Sequence, residues 1–289
     1  RDVRRKIMDH EFENYLLPIN HEGGFYTRIV GRANSLEIDS VKEYENYLSR
    51  LRSIPKYFDI NMDLMRKGLS KGHTLPRQIL SKDYKGMIRS RIVENPTESG
   101  FYIPFEQFPP EISESEQKRL KKQARQVIKR HVIPTYKKFL QFIDEEYIPK
   151  ARNSIAVSAL PGGDEYYSYL VRYYTTLDAT PEEIHQIGLD EVKRIRAEME
   201  AIIMEVNFQG TFDKFLEFLR TDPQFYVEEP ERLLKEASYI AKQMDSQLPK
   251  LFNMLPRQPY GIEPVPAHLA PRYTGGRYSP SRGERDAGN

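Results

Sequence analysis

The 289-residue sequence contains no cysteine, which excludes disulfides and every cysteine-based zinc site. Nor does one sign of charge dominate: 44 basic residues against 42 acidic ones leave a formal net charge of +2. That near-balance removes the electrostatic footprint of a nucleic-acid or anionic-membrane binder, so no nucleic-acid partner is expected. No apolar run approaches the roughly 18 residues that cross a bilayer, so no membrane span is expected either. The H-E-x-x-H spacing, which sets two histidines on one helix face around zinc, is also missing. The sequence opens at Arg1 inside charged, helix-like sequence and stops abruptly at SRGERDAGN, and so reads as a piece of something longer.

What is present is globular in kind. At 39% hydrophobic and 30% charged residues, the chain can bury a real core, in one large domain or two ordinary ones. Between Ser40 and Leu69, apolar residues fall at helix period: Val41, Tyr44, Tyr47, Leu48, Leu51, Ile54, Phe58, Leu64 and Met65. This predicts a helix over 40–53, a break at Pro55 and a second helix over 55–70. Thr74-Leu75-Pro76 opens a helix over 76–93, closed by Asn95-Pro96. Ser113 with Glu116 forms a capping box for the longest run, 114–147, which Pro134 should kink or interrupt. Further helices are expected over 181–206 and 230–243, with a short one from Thr211. The expected fold is mainly α, an irregular multi-helix bundle over 1–255 with a sub-boundary near 95–112. From Pro256 the periodicity ends, and 256–289 reads as an extended, Pro/Gly-rich segment.

Four stretches invite chemistry. In LDATPEEIHQIG, Glu182 and His185 have a metal-ligand spacing, but helix initiation explains every residue. Thr180 caps, Pro181 takes the first helical position, Glu183 completes a T-x-x-E box and Glu182 complements the positive helix end. A di-metal bundle needs a second Glu-x-x-His, and none of His10, His21, His73, His131 or His268 has a Glu three positions earlier. The pairs His10-Glu11 and His21-Glu22 lack a histidine at the fourth position onward, where Asn14 and Phe25 stand. In the basic run Gln117–Arg130, Leu120, Ala124, Val127 and Ile128 keep helix spacing, so the charges form a solvated face. The segment Ala159–Thr176 is the most unusual. Pro161-Gly162-Gly163 forces a turn, Asp164 is placed to cap the next helix, and Tyr166, Tyr167, Tyr169, Tyr173 and Tyr174 crowd it. A tyrosine has an apolar body and a polar tip, which suits a core edge and a ligand cleft alike.

These motifs, taken in order, resemble the DUF885 family of bacterial proteins. The family's L-P-G-G-x-x-Y-Y segment corresponds to Leu160–Tyr167, its T-T pair to Thr175-Thr176, its T-P-E-E-I-H-x-I-G-L-x-E-V to Thr180–Val192, and its E-P-V-P-A…A-P to Glu263–Pro271. The family looks like a set of helical zinc metallopeptidases of thermolysin (gluzincin-like) type. The resemblance therefore implies peptide-bond hydrolysis by zinc-bound water, with a Glu as general base and two His plus one Glu as ligands. In the family an H-E-x-x-H helix follows the E-P-V-P-A region, and no position here matches it. The resemblance thus implies a helical scaffold and cleft-wall portion of a zinc-dependent peptidase, with no catalytic, metal or cofactor residue in this chain and zinc in the complete protein. Tyr166 and Tyr167, beside the Gly-Gly turn, are the expected substrate-binding residues and a peptide the expected partner. The resemblance also favours an extracytoplasmic location. The other reading of the residues is a non-enzymatic helical module that binds a peptide or protein through its tyrosine-rich face.

Overall fold

The computed structural model describes residues 2–33, 36, 38–80, 82–255, 257, 260–265, 270 and 275–278. Compactness divides the chain into two units, Arg1–Ile184 and His185–Asn289. In the first unit, α1 (Asp2–Glu11) precedes two short antiparallel strands, β1 (Ile19–Asn20) and β2 (Gly23–Gly24). Their register pairs Ile19 with Gly24 and Asn20 with Gly23, which leaves His21-Glu22 in the turn. Then come α2 (Phe25–Ala33), α3 (Val41–Lys71), α4 (Lys82–Arg89), α5 (Glu114–Val127), α6 (Ile133–Phe142), α7 (Ile148–Lys150) and α8 (Gly163–Thr175). The core lies where the apolar faces of α3, α5 and α6 meet. It is strongly aromatic: Phe58 packs edge-on against Phe25 and Tyr136, each at 5.0 Å between ring centres. The buried Tyr136 hydroxyl donates to the Tyr26 carbonyl at 2.6 Å, and burial pushes its phenol pKa up.

Two sequence expectations about helix bounds are corrected first. The two helices predicted over 40–53 and 55–70 are one 31-residue helix, α3, with Pro55 inside it. Ile54 and Phe58 on either side of the proline are both buried in the same core, so continuous packing outweighs the lost backbone hydrogen bond. Ser40 caps this helix in a complete box with Glu43. The helix predicted over 76–93 begins instead as a 3-10 turn, Arg77–Ile79, and only α4 is α-helical. Its first turn is drawn away by tertiary hydrogen bonds: Leu75 N–H donates to the Tyr147 hydroxyl and Arg77 N–H to the Arg152 carbonyl.

The run predicted over 114–147 is helical throughout, but two π turns interrupt its winding. One, Ile128–Val132, directly precedes α6, and the other, Ile143–Tyr147, directly precedes α7. Pro134 and Pro149 each fall at the second position after a π turn. The wider turn relieves the clash of the proline ring with the carbonyl one turn earlier, so the helix runs on past Pro134 and accommodates Pro149 one residue before its end at Lys150. The Ser113 hydroxyl accepts from Glu116 N–H as expected, while the Glu116 carboxylate turns to Arg119 instead of closing the box.

The second unit holds most of α9 (Pro181–Glu205), then α10 (Phe212–Thr221), α11 (Pro230–Asp245) and α12 (Leu248–Leu251). The first three match the helices predicted from 181, Thr211 and 230. At the start of α9, Thr180 and Glu183 exchange both hydrogen bonds of a capping box. Phe208 packs on Phe215 and Phe218 at 5.0 and 5.3 Å. Among the described residues of this unit, Ile203 is the only buried apolar side chain. Most of the expected extended segment from Pro256 lies outside the described residues; 260–265 carries no regular element.

Candidate functional site

The tyrosine-rich helix α8 owes its start to two glycines. Gly162 adopts the left-handed region at φ 65°, and a Cβ on Gly163 would stand 2.2 Å from the Val157 carbonyl oxygen. The helix begins against the preceding 3-10 turn, Val157–Ala159, in a space only glycine fits. The expectation that Asp164 caps α8 is therefore corrected. Gly162 holds the cap position with no side-chain hydrogen bond, and Asp164 sits inside the first turn, where it serves only the positive helix end.

Residues three and four apart share a helix face, so Tyr166, Tyr169 and Tyr173 form one stripe down α8. That stripe faces the amino-terminal segment. Tyr166 is half-buried, its ring 4.9 Å from Phe12 and its hydroxyl accepting from Asn14 Nδ2 at 2.8 Å. Burial raises its phenol pKa. Tyr167 points off the stripe and is 41% exposed. Tyr169 and Tyr173 continue the stripe at 6.0 Å from each other. Between them and α1 lies an open cleft of about 880 Å³. Val3, Arg5 and Ile7 line it from α1, and Tyr169, Arg172 and Tyr173 from α8, with Thr176 at the helix end.

The electrostatics of the cleft are uneven. Arg5 lies 5.1 Å from the Tyr173 ring centre and 3.7 Å from Asp9, and its hydrogen bond to the Tyr173 hydroxyl raises its pKa. Arg172 has no ion pair or side-chain hydrogen bond among the described residues. The Tyr169 hydroxyl is buried without a hydrogen-bond partner among them, and burial raises its pKa, which keeps the proton on the oxygen. The structure thus brings Tyr166 to the inner end of the stripe, leaves Tyr167 on the solvent side, and lines the cleft with Tyr169 and Tyr173 of the tyrosine cluster together with residues that the sequence did not single out. Tyr169 and Tyr173 were visible in the tyrosine cluster. Arg5 and Arg172 carry no sequence signal, because nothing local tells that α1 and α8 meet.

Among the described residues, the zinc implied by the family resemblance finds no holder. Among the described residues, no three His, Cys, Asp or Glu side chains come together in a way that could hold a metal ion. His10 lies in the last turn of α1, His21 sits in the β turn, His73 follows α3, His131 lies in a π turn and His185 on α9, while His268 falls outside the described residues. The donor set of the described residues does not fit the group. Among the described residues, no helix is long and apolar enough to cross a membrane.

A family model described as "Bacterial protein of unknown function" matches residues 1–288. The chain belongs to the DUF885 family. A crystal structure titled as that of "the putative lipoprotein from Colwellia psychrerythraea" superposes with a TM-score of 0.78 at 21% identity, over 90% of this chain and 45% of that one. At that identity the likeness is one of fold. This DUF885 chain spans about half the length of the matched protein. Among curated proteins nothing matches significantly.

Proposed function

We propose that this chain is the helical scaffold and one cleft wall of a peptide-hydrolysing enzyme, with α8 as the element that meets the peptide. The observation that supports the reading is the cleft of about 880 Å³ walled by aliphatic side chains and tyrosine rings. Its apolar walls and few polar groups could lay an organic ligand along the open cleft and orient it. An extended peptide suits it, because rings cover its side chains while hydroxyls meet its backbone amides. Tyr166 and Tyr167, the turn of α8 before the cleft, are the proposed substrate contacts. Since the described residues hold no metal ligand set, no bond-breaking step is assigned to them. Hydrolysis, and the zinc that the resemblance implies, belong in this reading to the complete polypeptide. An extracytoplasmic location is part of the proposal, supported by the lipoprotein title of the matched structure.

The test uses the complete polypeptide with Tyr166→Phe and Tyr167→Phe, which remove hydroxyls alone. Tyr166→Phe gives up the Asn14 hydrogen bond, worth about 1 kcal/mol of stability; exposed Tyr167 carries no such cost. The expected result is a fall of about tenfold or more in kcat, roughly 1.4 kcal/mol, for at least one variant at nearly constant Tm. If the polypeptide cleaves no peptide, or both variants keep the parental kcat, the reading is wrong.

A further inference from the structure

The second unit carries more apolar surface outside than inside. Ile203 is its only buried apolar side chain among the described residues, although α9 and α11 are both regular helices. Helices that bury so little do not offset the entropy lost in ordering them. On α9 the exposed residues Val192, Ile195, Met199 and Ile202 fall three, four and three positions apart, and exposed Val206 follows just past the helix end. That is the alternating spacing by which one helix presents a narrow seam to another. Exposure along it runs from 40% at Ile195 to 68% at Val192, so nothing among the described residues covers the seam. The charges that border it are already engaged: Glu191 and Glu198, on one edge, both pair with Arg194, and Arg196, on the other, pairs with Glu200. A helix that lies on an anionic membrane has cationic edges, whereas these are of mixed sign and mutually paired. The seam therefore calls for an apolar partner of balanced charge.

We propose that the α9 seam is the docking face for an amphipathic helix from the part of the same polypeptide that lies outside this chain. The matched structure supplies the length, since about half of that chain lies outside the likeness. A segment of the same polypeptide also reaches the seam at high effective concentration, without a separate association step. The partner helix is apolar along one stripe in the same spacing, so that its side chains enter the gaps between Val192, Ile195, Met199 and Ile202. The inference is independent of the peptide-binding reading: it names what completes the core of the second unit, and it stands even if the α1–α8 cleft binds nothing.

The experiment compares this chain with the complete polypeptide by amide hydrogen exchange and thermal melting. Amides of α9 beyond Ile184 should exchange about tenfold or more slowly in the complete polypeptide, and equally so over about a hundredfold range of protein concentration. Met199→Lys should lower the Tm of this chain by about 2 °C at most, because the site is open to water. In the complete polypeptide the same change buries an unpaired charge and should lower Tm by about 5 °C or more. Ala197→Lys, exposed on the opposite side of α9, should leave both Tm values within about 2 °C of the parents. If Met199→Lys prevents the complete polypeptide from folding, the exchange comparison of the two parents decides. Equal α9 exchange in the two parents overturns the proposal, as does a complete polypeptide that tolerates Met199→Lys as well as Ala197→Lys. Protection that appears only as concentration rises overturns it too, and makes a second copy the occupant of the seam.

Discussion

Gly163 is the residue on which the placement of the tyrosine stripe depends. Its missing side chain lets α8 start directly against the Val157 carbonyl, at a distance no Cβ could occupy. Neighbouring Gly162 needs glycine for a different reason, its positive φ, and has open space around it. The two substitutions should therefore differ. Gly162→Ala should cost about 1 kcal/mol from backbone strain alone. Gly163→Ala must displace backbone and should cost about 2–3 kcal/mol, with a loss of the Tyr166–Asn14 contact. Urea denaturation of the two variants checks the order; equal midpoints would show that the turn yields at no cost.

At the scale of elements, the ion pair of α3 with the second π turn gives a pH signature. Arg66 forks onto both carboxylate oxygens of Glu146, each at 2.8 Å, and so holds the Glu146 carboxyl below the usual carboxylate range. Because the folded value is depressed, the stabilisation is complete above the unfolded pKa, about 4.3 for glutamate, and is lost as pH falls through the lower folded value. Thermal melts between about pH 5 and pH 3 should show a decline that Glu146→Gln makes shallower, and added salt should shrink the difference between the two because the pair is half exposed. An unchanged slope in the variant would remove the pair from the account. Elements with strong local signals were legible in the sequence. The helices from Ser113, Thr180, Thr211 and Pro230 start at or within a residue of where their caps and prolines place them, since capping is decided within one turn. Pro55 was misread because the local rule for proline lost to a shared core, and 76–93 because residues Tyr147 and Arg152 capture its backbone. The cleft was half legible: the tyrosines belong to one segment, whereas Arg5 and Arg172 are neighbours only in three dimensions.

At the scale of the whole molecule, the two units differ in how much each buries. The first has a continuous aromatic core, while in the second Val192, Ile195, Met199 and Ile202 lie exposed along one side of α9 and only Ile203 is buried among the described residues. Opening free energy follows buried contacts, so amide hydrogen exchange should separate the units. Amides of α3 and α6 should be the slowest, approaching the global limit, and those of α9 and α11 should exchange by cheaper local opening. Uniform protection across both units would contradict this.

The π turns have a further consequence, for the tolerance of the chain to gaining or losing residues. A π turn is an α-helix that has absorbed one extra residue, so each of the two holds a spare position while its flanks stay in phase. Removing exposed Arg130 together with Pro134→Ala should collapse the first π turn to plain α winding and leave Tyr136 and Phe139 facing the core. Removing equally exposed Lys122 from α5, where no spare exists, should swing one flank by about 100° relative to the other. The first deletion should give a folded protein with a modestly lowered Tm and the second should not fold, as circular dichroism would show. In this helix, length is negotiable only where the winding is already loose.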